Sequence, residues 1–173
     1  MTTKRLLAGL AIALLACSAC STSLSMTFQG DKDLNPNQRN EPVPTKVVVF
    51  LLRSPDQFAK ATSLDLVDKP PKEVLGDTFV EQREITVRVG STEPLLVETV
   101  PESVQHVGVL ALFSGEPVKE TMTWLGPIGE ARGQTIYLKG RQLHFGGPPA
   151  ETPTPTPPTP AATTDTDATK SGG

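Results

Sequence analysis

The sequence predicts a mainly β domain, a two-sheet antiparallel β-sandwich with a short helical insertion. Three observations predict it. Apolar and polar residues alternate with a period of two in several short segments, and glycine, proline, asparagine or aspartate separates them. One segment, Val47 to Leu52, is apolar throughout and so needs cover on both faces. Directly after it comes a stretch with helix-start signals in place of alternation.

The 173 residues suffice for one domain, once both ends are set aside. Lys4 and Arg5 precede an apolar run from Leu6 to Ala16, the pattern of a signal peptide. A membrane-spanning helix takes about 20 apolar residues, more than this run offers. The run closes on Leu14-Leu15-Ala16-Cys17. This is a lipobox, with a branched apolar residue three positions before the cysteine and a small residue just before it. Residues 1–16 therefore read as a lipoprotein signal peptide and Cys17 as the lipidation site. Its thiol takes a diacylglyceryl group and its freed amino group a further acyl chain. One acyl chain anchors marginally, whereas two or more hold stably. Cys20 is the alternative site, although Cys17 rather than a branched apolar residue stands three positions before it. Ser18 follows Cys17, and Ser21 follows Cys20. Serine instead of aspartate there favours the outer membrane in Gram-negative bacteria, so the expected location is its periplasmic face. With Cys17 acylated, Cys20 has no intrachain partner, and the core must hold the fold. Without Lys4 and Arg5, 14 basic residues face 19 acidic ones. There is no basic stripe, which disfavours nucleic-acid binding.

Residues 17–23 read as a lipidated tether, whose Ser18–Ser23 stretch reaches at most about 20 Å. Residues 24–145 form the sandwich domain. Residues 146–173, rich in proline and threonine, cannot offset their ordering entropy by burial and are expected to be a disordered tail.

Within the domain, Leu24, Met26 and Phe28 alternate with Ser25 and Thr27 in a half-buried strand ending at Gln29. A polar loop, Gly30 to Thr45, follows; it is long against the usual four to six residues or so. The apolar strand spans Lys46 to Arg53. Ser54-Pro55-Asp56-Gln57 fits a capping box, with Ser54 at the N-cap, Pro55 at N1 and Gln57 at N3. The helix it opens is expected to run through Ala61, and Pro70 to Gly76 predicts a second helical turn stopped by Gly76. This insertion is the expected cover for the second face of Val47–Leu52. Strands resume at Gln82, with Ile85, Val87 and Val89 on one side and a turn at Gly90-Ser91. Glu93 to Val100 is the next strand. In Ser103 to Phe113, Val107, Val109, Ala111 and Phe113 share one face, while Gly108, Leu110 and Leu112 fill the other. Thr121 to Leu125 carries Trp124. Gly126, Gly129 and Gly133 read as a hairpin loop. Gln134 to Leu138 and Arg141 to Phe145 flank Lys139-Gly140 as a hairpin.

Catalytic chemistry is not visible. His106 and His144 lack ligand-spaced neighbours, so no metal site is expected. No nucleophile elbow is present, and the glycines fit neither a P-loop nor a dinucleotide fingerprint. The acid pairs Glu81 with Glu84 and Asp65 with Asp68 are ordinary solvated charges. The Gly30–Thr45 loop differs: prolines limit its freedom, and long loops on rigid sandwiches are frequent interaction sites.

An ordered set of features now stands together: the lipobox, a first strand, Asp33-Leu34-Asn35-Pro36, a proline-rich loop, Val47–Leu52, and Ser54-Pro55-Asp56-Gln57-Phe58. After them come Glu81-Gln82-Arg83-Glu84, the turn at Gly90, His106-Val107-Gly108-Val109-Leu110-Ala111-Leu112-Phe113 and Trp124. From Leu24 to Leu125 this set resembles the TssJ (VasD, SciN) lipoprotein family of type VI secretion. The resemblance implies a transthyretin-like sandwich with a helical insertion and a structural, non-enzymatic role. It also implies no cofactor beyond the covalent lipid, an outer-membrane anchor, and a place in a TssJ-TssL-TssM membrane complex. The implied partner is the periplasmic C-terminal part of TssM. The implied contact is the loop between the first two strands: Asp31, Lys32, Asp33, Leu34, Asn35, Pro36, Asn37, Gln38, Arg39 and Asn40, centred on Leu34, Asn35 and Pro36. The chain departs from the family at Ser114-Gly115, where an arginine is frequent, and at Leu125, where a basic residue is frequent. The alternative is a generic envelope lipoprotein binding a ligand or cell-wall glycan, for which Trp124 and Tyr137 would have to form an exposed aromatic platform. A periplasmic hydrolase would need a cleft of converging polar groups.

Overall fold

The computed structural model describes residues 22–114 and 122–148. The signal peptide, Cys17 and Cys20 in the tether, and the tail from residue 149 lie outside the described residues.

Eight strands form two four-stranded sheets. In chain order they are β1 (Thr22–Gly30), β2 (Thr45–Leu52), β3 (Phe79–Val87), β4 (Thr92–Val100), β5 (His106–Leu112), β6 (Met122–Pro127), β7 (Gln134–Lys139) and β8 (Gln142–Phe145). One sheet runs β4-β1-β7-β8 and the other β3-β2-β5-β6. All pairings are antiparallel except β1 with β7, which is parallel. The expected sandwich of short strands is therefore present, with one parallel pair inside it. Strand β1 starts at Thr22, so the last two residues assigned to the tether belong to the sheet.

The inner faces make the main core. Leu24, Met26 and Phe28 from β1 meet Val47, Val49 and Leu51 from β2 and Val107, Val109 and Ala111 from β5. Trp124 on β6 stacks on Phe145 of β8, with centroids 4.9 Å apart, and links the two sheets at that side.

Strand β2 lies between β3 and β5 and is buried along nearly its whole length. Its second face, Val48, Phe50 and Leu52, packs under Phe58, Leu66 and Leu75. These come from three short helices, α1 (Asp56–Lys60), α2 (Ser63–Asp68) and α3 (Pro71–Leu75), followed by a 3-10 turn at Gly76–Thr78. The insertion thus covers the strand as its sequence requires. Its details differ from the expectation. The Ser54 hydroxyl accepts from the Asp56 N–H at 3.3 Å and donates to the Asp56 carboxylate at 2.6 Å, with no return bond from Gln57. The capping box does not form, because Pro55 rather than Ser54 stands at the N-cap and no side chain caps the helix. Helix α2 was not foreseen; Thr62 caps it, its hydroxyl accepting from the Asp65 N–H at 3.1 Å.

The glycine-bearing segment after β6 is not a hairpin. Strands β6 and β7 lie in different sheets, so the chain crosses between them through a short helix, α4 (Ile128–Ala131). Ala131 is fully buried against the main core.

Gly108 on β5 faces the ring of Phe58, and a Cβ there would stand 2.7 Å from two ring carbons. The bare backbone lets the insertion lie flat on the sheet, with Phe58 also tilted against Phe50 at 5.5 Å. Phe58→Ala leaves a cavity in this layer and is expected to cost about 3–5 kcal/mol in equilibrium denaturant unfolding.

Candidate functional site

Strand directions place the connections. Thr45 of β2 pairs with Val87 of β3, and Lys46 pairs with Leu112 of β5. Gly30 of β1 pairs with Leu138 of β7. One end of the sandwich therefore carries the β1–β2 loop, the β3–β4 turn, the end of β5 and the β7–β8 turn. The opposite end carries the start of β1, the α4 crossing and the end of β8.

The β1–β2 loop is a pinned structure. Val43 N–H donates to the Leu34 carbonyl at 3.1 Å, Pro36 bridges Pro42, and Asn37 N–H donates to the Glu41 carbonyl at 3.0 Å. The Asn37 side-chain oxygen accepts from the N–H groups of Arg39 and Glu41. Asn40, at φ +62°, closes the tip in the left-handed conformation that asparagine tolerates. The outcome is a small hairpin whose exposed tip is Gln38, Arg39 and Asn40.

Its root is locked into the domain. Leu34 has no exposed surface and belongs to the main core. Asn35, 2% exposed and at φ +50°, is the hub. Its side-chain oxygen accepts from the Ser114 N–H at 2.6 Å and the Ser114 hydroxyl at 2.8 Å, and its amide donates to the Pro44 carbonyl at 3.1 Å. The Asn35 N–H donates to the Gly140 carbonyl at 2.6 Å. Arg141 donates to the Pro36 carbonyl at 2.8 Å, and Gly140 N–H to the Asp33 carboxylate at 3.4 Å. The expected contact residues thus divide. Lys32, Asp33, Gln38, Arg39 and Asn40 are exposed, and Asp31, Pro36 and Asn37 are half-buried. Leu34 and Asn35, expected near the centre of a contact, face inward, because they fill the core and satisfy the buried backbone. Ser114, Gly140 and Arg141 were not foreseen; nothing in their local sequence signals a contact made so far along the chain.

The β3–β4 turn packs on the same root. Gly30 N–H donates to the Ser91 carbonyl at 2.9 Å, and Gly90 N–H to the Asp31 carbonyl at 3.3 Å. Gly30 has to be glycine, since a Cβ would collide with the Arg88 carbonyl.

Asp31 sits in a favourable field. Burial pushes its carboxyl up, but the hydrogen bond from Tyr137, the Lys32 N–H and the charges of Lys139 and Lys32 outweigh it and hold it below the usual carboxylate range. Lys139 stands 3.8 Å away.

The other candidates stay apart. His106 and His144 lie on different sheets, and no group of three potential metal ligands occurs among the described residues. Glu81 pairs with Arg83, Glu84 with Lys46, and Asp65 with Lys69. A groove of about 170 Å³ between α2 and the sheet is lined by Val48, Phe50, Leu66, Val67, Leu110 and Leu112, with Lys46, Gln82, Glu84, Lys69 and Pro71 completing its wall. Its acid is already paired with Lys46 at 2.6 Å, so no reactive group converges there. Tyr137 is 8% exposed and Trp124 is stacked, so neither forms an exposed platform.

The fold and this site define a β-sandwich with a covered outer face and one rigidly held loop at its end. Residues 22–139 match the model of the type VI secretion lipoprotein family (VasD, EvfM, TssJ), and the chain belongs to that family. No curated protein sequence matches it significantly. Solved structures share the fold. The type VI lipoprotein TssJ1 from Pseudomonas aeruginosa aligns at TM-score 0.63 and 20% identity, over 75% of this chain and 98% of that one. Lip from Serratia marcescens, a membrane-bound component of the type VI system, aligns at 0.61 and 21%, over 71% and 96%. A chain in a structure of the type VI membrane complex aligns at 0.64 and 17%, over 72% and 98%.

Asn35→Ala strands the buried partners at Ser114 and Pro44. It is expected to cost about 1–3 kcal/mol in denaturant unfolding and to speed amide exchange across residues 36–43. The depressed Asp31 carboxyl gives stability that is full above about pH 4 and is lost as pH falls through its lower folded value. Asp31→Asn is expected to flatten that part of an acid-unfolding curve.

Proposed function

We propose that this protein is an outer-membrane-anchored structural lipoprotein of the type VI secretion membrane complex. It docks the periplasmic C-terminal part of TssM through its β1–β2 loop. The observation that carries this reading is the position of that loop: rigid, and at the end of the sandwich opposite the start of β1. Lipid on Cys17 holds that opposite end near the membrane through a short tether. Strand β1 has nine residues. At about 3.3 Å per residue, it sets the loop roughly 26 Å from where the chain enters the domain. The loop then points away from the outer membrane, where an inner-membrane partner reaches. Pre-ordering through Asn35 lowers the entropy cost of docking. Support also comes from structures that contain chains of this fold: the type VI membrane complex already described, and the TssM C-terminal domain from EAEC, aligned at TM-score 0.60. Family membership supports a structural role.

Calorimetry of the full-length lipidated chain in detergent, titrated with the soluble periplasmic C-terminal region of its cognate TssM, tests this. Saturable binding is expected, and replacing Gln38–Asn40 with glycine and serine is expected to weaken it about tenfold or more. Absence of binding by the folded chain would reject the role and leave a generic envelope lipoprotein as the better description.

A further inference from the structure

The hairpin loop alone is a small surface for docking a folded partner. Its exposed residues are Lys32, Asp33, Gln38, Arg39, Asn40, Glu41, Pro42 and Pro44, whereas a stable interface engages roughly 20–30 residues on each side. The remaining contact has to come from what stands beside the loop: Ser114 and the β7–β8 turn, which clamp its root, and the β3–β4 turn. The β3–β4 turn is bonded to the loop root through Gly90 to Asp31 and Gly30 to Ser91. The two segments therefore present one surface. At the tip of the turn Val89 is 37% exposed. The other exposed large apolar side chains among the described residues are Leu64 and Val67 on α2 of the insertion and Leu96 in mid-β4. The Arg88 side chain is 74% exposed and only loosely paired with Glu93, at 3.6 Å. Lys32 and Arg39 make no ion pair among the described residues. The nearby acids are engaged, Asp33 by the Gly140 N–H and Glu41 by the Asn37 amide.

We infer that the docking face is composite, with the β3–β4 turn as its second half. Val89 is the apolar anchor, and Lys32, Arg39 and Arg88 stand around it. This inference rests on the docking role proposed above and specifies the partner's chemistry. Such a face fits a folded protein surface that offers an apolar recess edged by carboxylates.

The test uses the full-length lipidated chain in detergent and the soluble periplasmic C-terminal region of TssM. Val89→Asp and Arg88→Glu are each expected to weaken binding about tenfold with the melting temperature unchanged. Leu96→Asp, in mid-β4, is expected to bind as the parent chain does. A photo-reactive amino acid at position 89 is expected to crosslink to the partner, a readout that holds even where Val89→Asp fails to fold. If both turn variants bind normally and position 89 does not crosslink, while altering Gln38–Asn40 still weakens binding, the composite face is overturned and the docking role stands. An equal loss in Leu96→Asp would also overturn it, since the effect would then not belong to the turn. If the parent chain does not bind at all, the docking role fails first and this inference with it.

Discussion

Six consecutive apolar residues, Val47 to Leu52, must be kept dry on both faces of one strand. Most of the architecture follows from that constraint. A strand buried on two sides needs a layer above and a layer below. The second sheet supplies one layer, through Leu24, Met26 and Phe28. The insertion supplies the other, through Phe58, Leu66 and Leu75. Neither layer suffices alone, because each touches a different set of alternate residues on β2. The three helices are too short to persist by themselves, as isolated helices below roughly 12–15 residues are marginal in water. They exist because the strand needs them and because Gly108 lets an aromatic ring lie against the sheet.

The same constraint shapes the loop. Strands β1 and β2 sit in different sheets, so the chain has to cross the end of the sandwich between them. A long crossing is ordinarily the mobile part of such a domain. Here Leu34 is drawn into the core between the sheets, and that fixes the chain at the root of the loop. Burying Leu34 also buries the neighbouring backbone, which must then find partners. Asn35 answers by bonding to three separate segments, at Pro44, Ser114 and Gly140. Rigidity at the tip is thus a consequence of packing at the root. Proline contributes, but the hydrophobic side chain and its polar neighbour do most of the holding.

Legibility in the sequence follows from how local the cause is. The period-two pattern of Leu24, Met26 and Phe28, the continuous run in β2 and the β7–β8 hairpin were readable, because each depends on neighbours in the chain. So was the need for a cover over Val48, Phe50 and Leu52. Helix α2 was also legible in principle: Thr62 with Asp65 three residues later is a capping pattern like the one noticed at Ser54. The glycines after Trp124 misled, because glycine marks a turn without saying which sheet the next strand joins. The parallel pairing of β1 with β7 had no local signature at all. In the candidate site, the loop was visible by length and composition, and the exposed residues at its tip follow from polarity. Leu34 and Asn35 were taken for surface because a leucine in a polar loop looks like a presented anchor. Its true environment is made by strands many residues away, and the partners of Asn35 at Ser114 and Gly140 are equally remote in sequence.

The parallel β1–β7 pair has a further consequence for how the ends of the domain divide their work. Because β7 runs with β1, it finishes at the loop end, and the tight turn into β8 brings the chain back. The chain therefore leaves the sandwich at the same end by which it enters. Had β7 run antiparallel to β1, the β7–β8 turn would lie at the other end and the segment after β8 would emerge beside the loop. In that arrangement Gly140 and Arg141 would not be available to hold Asn35 and Pro36. One pairing direction thus does two things: it supplies the clamp on the loop root and puts the start of β1 and the end of β8 at the opposite end of the sandwich. In the proposed role this separation matters, since a lipid tether at one end then leaves the opposite end free for a protein partner.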